Sequence, residues 1–406
     1  MGEFGKSSFE RNEKVIKLLK VFCIIAIFII IFGVITINYQ KCTAENSSSY
    51  VVMYQPGRQV LSGNNLDARL PMASTTKIVT AIVTLENACL DEVVTIPKEA
   101  VGVEGSSVYL REGEKFTVNE LLHALMLQSG NDAAVALALH VGGNMDNFVK
   151  LMNDYAASLS LENTHFCNPH GLHDPGHYTS ARDLAALTCA AMDNEQFCNI
   201  ISAKKFNVPQ SEFTAARTWY NKNKMLSLYD GANGVKTGYT TKSGRCLVSA
   251  AESGGMQLVC VVLNHYNMWQ DSMEYMDAAF EKYCAVQGAA EGEPLYGIPG
   301  EGISVGVRGG MNFAIEKTGF KDLQYEILPE KGHTLPLKAG GKIGTIRVFA
   351  GNRLIFSSEL YTINDIEDEN GLYAAENYRG ELEVKYGSKV EQIYCKLRNG
   401  VQARSR

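Results

Sequence analysis

An α+β fold is predicted by three observations. Apolar residues recur at helical spacing through the middle of the chain. Alternating or continuous apolar runs stand on either side of that region. A further set of short alternating runs follows a stretch rich in Gly, Ala, Glu and Pro. The 406 residues suffice for two domains. The expected division is an N-terminal targeting or anchor segment at 1–44 and an α+β domain at 45–285, with an antiparallel sheet and a helical subdomain. A linker at 286–300, a small β-rich domain at 301–365 and a tail at 366–406 complete it.

The elements follow from local pattern. Tyr50 to Tyr54 reads as a strand, Gln55-Pro56-Gly57-Arg58 as a turn, and Gln59 to Leu61 as the return strand, closed by a turn at Ser62-Gly63-Asn64. From Ser74 onward Ile78, Val79, Ile82, Val83 and Leu85 fall on one helical face, with Ser74 at the N-cap position. Further helices are expected over Val118 to Leu127, opened by Thr117, and over Asp132 to His140, Phe148 to Leu159, Ser180 to Met192 and Met268 to Cys284. Cys246 to Ala251 and Leu258 to Leu263, separated by Glu252-Ser253-Gly254-Gly255, read as a hairpin. Ile303 to Val307, Leu323 to Leu328, Gly344 to Phe349 and Leu354 to Leu360 read as strands of the second domain. Near the C-terminus Val390, Ile393, Tyr394, Leu397 and Val401 share a helical face flanked by basic residues. The expectation is a marginal surface helix or a frayed tail, with an amphipathic helix lying on a membrane as the alternative.

Apolar residues make up 46% and charged residues 20%, which supports a folded core, and a net charge of −6 argues against nucleic-acid binding. The apolar, uncharged run Val21 to Ile37 follows Lys6, Arg11, Lys14, Lys17 and Lys20. That order is the pattern of a secretory signal or a retained anchor, and Cys42-Thr43-Ala44 offers a small-residue cleavage site. Either way the rest of the chain is exported. The ten cysteines are scattered without a CxxC pair and read as small buried hydrophobes, not as a disulfide framework.

Three motifs carry chemistry: Ser74-Thr75-Thr76-Lys77, Ser129-Gly130-Asn131 and Lys236-Thr237-Gly238, which fit S-x-x-K, S-x-N and K-T-G. Each alone is ordinary: an N-cap serine with a surface lysine, a helix-connecting loop, a lysine-blunted edge strand. Each also has a decoy, at Ser202 to Lys205, at Ser62-Gly63-Asn64 and at Lys317-Thr318-Gly319. Only the first set occurs in order within the α+β region. A helix starting at Ser74 puts Lys77 one turn on, on the same face. A serine hydroxyl needs a base, and lysine serves only if burial or a second cation, here Lys236, destabilises its ammonium. Ser129 is placed to relay a proton, Asn131 to hold a substrate amide, and Lys236 and Thr237 to meet a carboxylate. Gly238 lets the backbone approach closely.

Beyond these motifs the chain resembles the low-molecular-mass penicillin-binding proteins of the serine D-alanyl-D-alanine carboxypeptidase family. The resemblance rests on PMASTTK at 71–77, LHALMLQSGNDAA at 122–134, LENTHFCNPHGLHDPGHY at 161–178 and GVKTGYTTKSGRCLVSAA at 234–251, and it covers Val51 to Cys284. It implies a penicillin-binding-protein and serine β-lactamase-like catalytic domain followed by a β-rich domain. It implies Ser74 as acyl-ester nucleophile, Lys77 as proton acceptor and Ser129 as a further catalytic residue, with Asn131, Lys236 and Thr237 on the substrate. The N–H groups of Ser74 and Tyr239 would form the oxyanion hole, and Arg245 an extra carboxylate anchor. Tyr239 stands where other members often have histidine. The implied partners are peptidoglycan stem peptides ending in D-Ala-D-Ala, the β-lactams that acylate the same serine, and the membrane; the implied place is the outer face of the cytoplasmic membrane or the cell wall. No cofactor or metal is expected.

Three other readings compete with this one. A class A-like serine β-lactamase expects S-D-N, where this chain has Gly130, and a Glu-Asn pair that Glu162-Asn163 imitates poorly. A metalloenzyme would use His165, Cys167, His170, His173, Asp174 and His177, whose spacing matches no common zinc pattern. A catalytically silent wall-binding protein on the same fold is opposed by the intact Ser74, Lys77 and Lys236.

Overall fold

The chain begins its described course with a strand whose side chains alternate between two buried faces. The computed structural model describes residues 48–298, 302–318, 323–378, 382–386 and 391–397. The segment expected as signal or anchor lies outside them. Among the described residues no helix is long and apolar enough to cross a membrane.

Strands β1 (Ser49–Tyr54) and β2 (Gln59–Asn64) form the first hairpin, followed by helix α1 (Lys77–Asn87). The short pair β3 (Val93–Thr95) and β4 (Lys115–Thr117) precedes α2 (Val118–Leu127), α3 (Asn131–Gly142), α4 (Met145–Ser158), α5 (Ala181–Ala191) and α6 (Glu195–Ser202). A second short pair, β5 (Lys205–Val208) and β6 (Arg217–Tyr220), leads through α7 (Met225–Leu228) to β7 (Ala232–Thr240), β8 (Gly244–Ser253) and β9 (Met256–Leu263). Helix α8 (Met268–Lys282) closes this part.

The main sheet has the antiparallel order β2-β1-β9-β8-β7. In β9, Val259, Val261 and Leu263 join the core beneath α1–α6, whereas Leu258, Cys260 and Val262 join a second core with Met276 and Ala279 of α8. A strand covered on both faces must be apolar throughout, which is why this run reads continuously. Capping is explicit in the sequence. Thr117 and Glu120 form a reciprocal capping box on α2, and Ser180 caps α5 through Asp183 N.

Beyond α8, β10 (Tyr283–Gln287), β11 (Tyr296–Ile298), β12 (Ile303–Val307), β13 (Asn312–Glu316), β14 (Leu323–Pro329), β15 (Lys342–Ala350) and β16 (Arg353–Thr362) follow. Helix α9 (Glu369–Glu376), β17 (Leu382–Tyr386) and β18 (Glu391–Leu397) end the described chain. The nine strands take the order β11-β12-β16-β15-β14-β18-β17-β10-β13, with its own core around Val305, Phe313, Tyr325, Ile346 and Leu360. From Ser49 on the chain forms one compact unit. Gln59 of β2 exchanges two hydrogen bonds with Ala314 of β13, at 3.0 and 2.8 Å.

Four expectations are corrected. Tyr283 and Cys284 begin a strand instead of ending α8, because β13 offers them a partner edge. The stretch read as a linker carries the end of β10 and all of β11, whose Tyr296 hydroxyl donates to Ala375 O inside the second core. Ser62-Gly63-Asn64 ends a strand opposite Val52 to Tyr50 and is not a turn. Glu391–Leu397, read as part of a helix, is strand β18 between β14 and β17. Ile393 and Leu397, four apart, share a face in a strand as well as in a helix, and available edges on both sides decide the outcome. Val390 and Val401 lie outside the described residues.

Candidate active site

Ser74 does not cap an α-helix. It sits in a 3-10 turn, Ala73–Thr76, that runs into α1 at Lys77. The hydroxyls of Thr75 and Thr76 donate to Met72 O and Ala73 O at 2.7 and 2.8 Å, tightening this turn, and Ala73 takes a left-handed φ of 49°. Side chains bonded back to the turn leave no capping oxygen for α1, which explains the difference from the expected N-cap. The spacing argument survives, because Lys77 still reaches back one turn.

Lys77 is fully buried. Its Nζ donates to Asn131 Oδ1 at 2.6 Å and His170 O at 2.6 Å, and lies 3.1 Å from Ser74 Oγ. Amide and backbone carbonyl oxygens only accept, so they hold two N–H groups. The third direction, toward the hydroxyl, is the one where a neutral amine presents its lone pair. Burial, chiefly, and then the charges of Lys236 and Lys222 hold the Lys77 ammonium well below the ordinary lysine range; Asp132 opposes them. The site thus meets the physical requirement for a lysine base.

Ser129 occupies the turn between α2 and α3, with a φ of 63° and 5% exposure. Asn131 opens α3. Its N–H donates to Ser106 O and its Nδ2 to Glu104 O, which fixes Oδ1 toward Lys77. Asp132, fully buried, accepts from Ser107 Oγ (2.6 Å), Val108 N (3.0 Å), Leu110 N (3.1 Å) and Ala133 N (3.0 Å). It therefore locks the preceding loop against the serine turn.

Strand β7 supplies the third motif from the sheet edge. Lys236 is buried, and burial with the nearby Lys222 brings its ammonium down to about 7. A Cβ on Gly238 would lie 2.9 Å from Met72 O and 3.2 Å from Ser74 N, so the strand backbone rests directly on the Ser74 turn. Thr237 beside it is half-buried and Tyr239 is exposed. Arg245, opposite Tyr239 in the β7–β8 register, stacks its guanidinium on Tyr266 and donates to Tyr266 O. It makes no hydrogen bond to Ser74, Lys77 or Asn131.

One wall was not foreseen from sequence. The loop between α4 and α5 brings His170 O to Lys77 and Pro169 O to Thr80 Oγ1 at 2.6 Å. Gly171, at φ 86°, passes so close that a Cβ there would meet Ala73 O at 1.9 Å. His177 accepts from Cys167 N on Nδ1 at 3.0 Å, which leaves Nε2 to donate to Thr76 Oγ1 at 2.7 Å. Burial pushes His170 and His177 down to about 4. Of the residues that could suggest a metal cluster, His165 Nδ1 lies 2.7 Å from Gly176 O and 3.7 Å from Cys167 Sγ, and His170 Nδ1 accepts from Leu172 N. Among the described residues no group of three or more such side chains converges as a metal site. Cys89, Cys167, Cys189, Cys198, Cys246 and Cys260 are free thiols.

Residues 37–267 match the family model of D-alanyl-D-alanine carboxypeptidases. The chain is 30% identical over 350 residues to the Bacillus subtilis D-alanyl-D-alanine carboxypeptidase DacF, spanning 80% of this chain and 87% of that one. To Escherichia coli DacC it is 31% identical over 351 residues, spanning 81% and 86%. Among solved structures it resembles penicillin binding protein 5 from Haemophilus influenzae (TM-score 0.67, 28% identity, 80% of this chain and 98% of that one). It also resembles a mutant of the Streptomyces K15 DD-transpeptidase (TM-score 0.55, 34% identity, 57% and 96%).

Proposed function

Since the chain belongs to the D-alanyl-D-alanine carboxypeptidase family, we propose that Ser74 is its acyl-transfer nucleophile and Lys77 the base that activates it. The enzyme is a serine-type carboxypeptidase that removes the terminal D-alanine from peptidoglycan stem peptides and is inhibited by β-lactams. One observation carries the assignment of roles: a buried lysine whose only contact able to give up a proton to it is Ser74 Oγ, at 3.1 Å.

Lys77 takes the proton of Ser74 as Oγ attacks the carbonyl of the penultimate D-alanine. The developing oxyanion is held by the N–H groups of Ser74 and Tyr239, a reading supported by the close approach of Gly238 to Ser74 N. Ser129 relays the proton from Lys77 to the leaving amine, D-alanine departs, and Lys77 is neutral again. Asn131 holds the substrate amide; Lys236 and Thr237 receive the terminal carboxylate. Water then attacks the acyl-serine, with Lys77 again as base. Arg245, stacked on Tyr266, is an outer carboxylate anchor at most one strand away from Tyr239. We place the enzyme outside the cytoplasmic membrane, associated with it through the apolar N-terminal run.

Peptide mass spectrometry of the penicillin-treated protein tests this reading. A single adduct on Ser74, lost in Ser74→Ala, is the expected result. An adduct on another residue overturns the assignment. Rapid turnover of a chromogenic β-lactam without a lasting adduct would favour the β-lactamase reading, and failure of the wild type to label would favour a silent scaffold.

A further inference from the structure

The turn that carries Ser129 is bonded from outside by a segment absent from the three motifs. Lys222 follows β6. Its N–H donates to Leu127 O at 3.1 Å, and its Nζ to Gln128 O at 2.8 Å. Gln128 Nε2 answers with a bond to Tyr220 O at 2.7 Å. Asn221 fastens the same segment by its N–H to Lys204 O, and by Nδ2 to Ala203 O at 3.0 Å and Ile201 O at 3.3 Å. The last carbonyls of α2 would otherwise lack partners. Ser129, immediately beyond, holds a left-handed φ that a serine adopts only when its surroundings impose it.

We propose that Lys222 is a positioning residue of the acyl-transfer site, holding the Leu127–Gln128 end of the Ser129 turn and adding a third positive charge that acts on Lys77 and Lys236. This rests on the roles assigned to Ser74, Lys77 and Ser129 above. The groups that face Lys77 are Lys236 from β7, Asp132 from α3 and His170 from the loop before α5, besides Lys222. Of these only Asp132 is negative. The Lys222 charge lowers both buried lysines, so its removal lets Lys77 hold its proton to higher pH. The lysine itself is exposed, so water and salt screen this effect and leave it modest.

A plain helix-end lysine would also accept these contacts, and the test separates the two roles. The rate constant for acylation by a fluorescent penicillin is measured from about pH 5 to about pH 10 for wild type, Lys222→Met, Lys222→Arg and Gln128→Ala. In Lys222→Met the rate falls a few-fold at the acid end, its acid limb moves to higher pH, and the difference narrows at high salt. Lys222→Arg restores the limb. Gln128→Ala removes a tether without removing charge, so it lowers the rate and leaves the limb in place. A limb that stays put in Lys222→Met, whether or not its melting temperature drops, overturns the proposal. If Lys222→Met does not fold, Lys222→Gln, which retains a donor, is read by the same criterion. Adduct mapping on Ser74 in each variant keeps failure of this inference distinct from failure of the reading beneath it.

Discussion

Replacing Asp132 with alanine should unfold the molecule more readily and make Lys77 easier to deprotonate. The carboxylate is fully buried and accepts from Ser107 Oγ, Val108 N, Leu110 N and Ala133 N. Ala133 N lies in the first turn of α3, and Ser107 Oγ is only partly buried, so these two find other partners. Val108 N and Leu110 N are buried and are left with none. An orphaned buried donor costs about 1–3 kcal/mol, so two put Asp132→Ala at about 2–6 kcal/mol in all. Against a total of about 5–15 kcal/mol, that is a large fraction. With an m-value of about 3 kcal/mol/M, the urea midpoint should drop by about 0.7–2 M. Asp132→Asn keeps one acceptor oxygen and should fall between. The second effect is electrostatic. Asp132 favours the charged form of Lys77, so its loss moves the acid limb of penicillin acylation to lower pH. The assay is urea unfolding followed by circular dichroism, with acylation rates on the surviving folded fraction. An Asp132→Ala midpoint equivalent to wild type within about 0.5 kcal/mol would refute the accounting of the Ser107–Leu110 loop.

Other outcomes follow from the same geometry. Gly171→Ala places a Cβ 1.9 Å from Ala73 O at a φ of 86°, and should abolish penicillin labelling by displacing the nucleophile turn even if the protein still folds; labelling at the wild-type rate would contradict the packing. His170 and His177 are neutral in the fold, at about 4, against about 6.5 unfolded. The unfolded chain therefore binds more protons between those values, and stability is full above about pH 6.5 and lost as pH falls toward about 4, by up to ~3 kcal/mol for each. Urea midpoints measured against pH should show this slope, and His177→Gln should flatten part of it. In the wild type, acylation needs neutral Lys77, so its rate should fall as pH drops through the depressed value of that lysine; a rate independent of pH from about 5 to about 10 would exclude lysine as the base.

Much of the site was legible because its residues are recognisable by side chain and order. Ser74, Lys77, Ser129, Asn131 and Lys236 stand out by type and order, and Thr117 marks the start of α2. What stayed hidden has no side-chain signature. His170 acts through its carbonyl, and a backbone oxygen looks the same in every residue. Gly171 gave a faint signal, a glycine in a loop, with nothing to say that another turn lies against it. Lys222 looked like one lysine in Asn221-Lys222-Asn223-Lys224. In the fold, periodicity succeeded where burial was one-sided or complete, as in α1 and β9. It failed for Glu391–Leu397, where apolar positions fit both periods and the choice lay with two strands remote in sequence. It also missed α6 and the β5–β6 pair, which are short and lie among polar residues.

The position of β1 has a consequence for how the molecule assembles. Synthesis delivers this strand first, yet its neighbours in the sheet are β2, which follows at once, and β9, which emerges about 200 residues later. During that interval the β1–β2 hairpin stands as a marginal two-stranded ribbon with one open flank of unpaired amides. A chain halted before Met256–Leu263 would therefore present a sticky edge instead of a smaller stable domain.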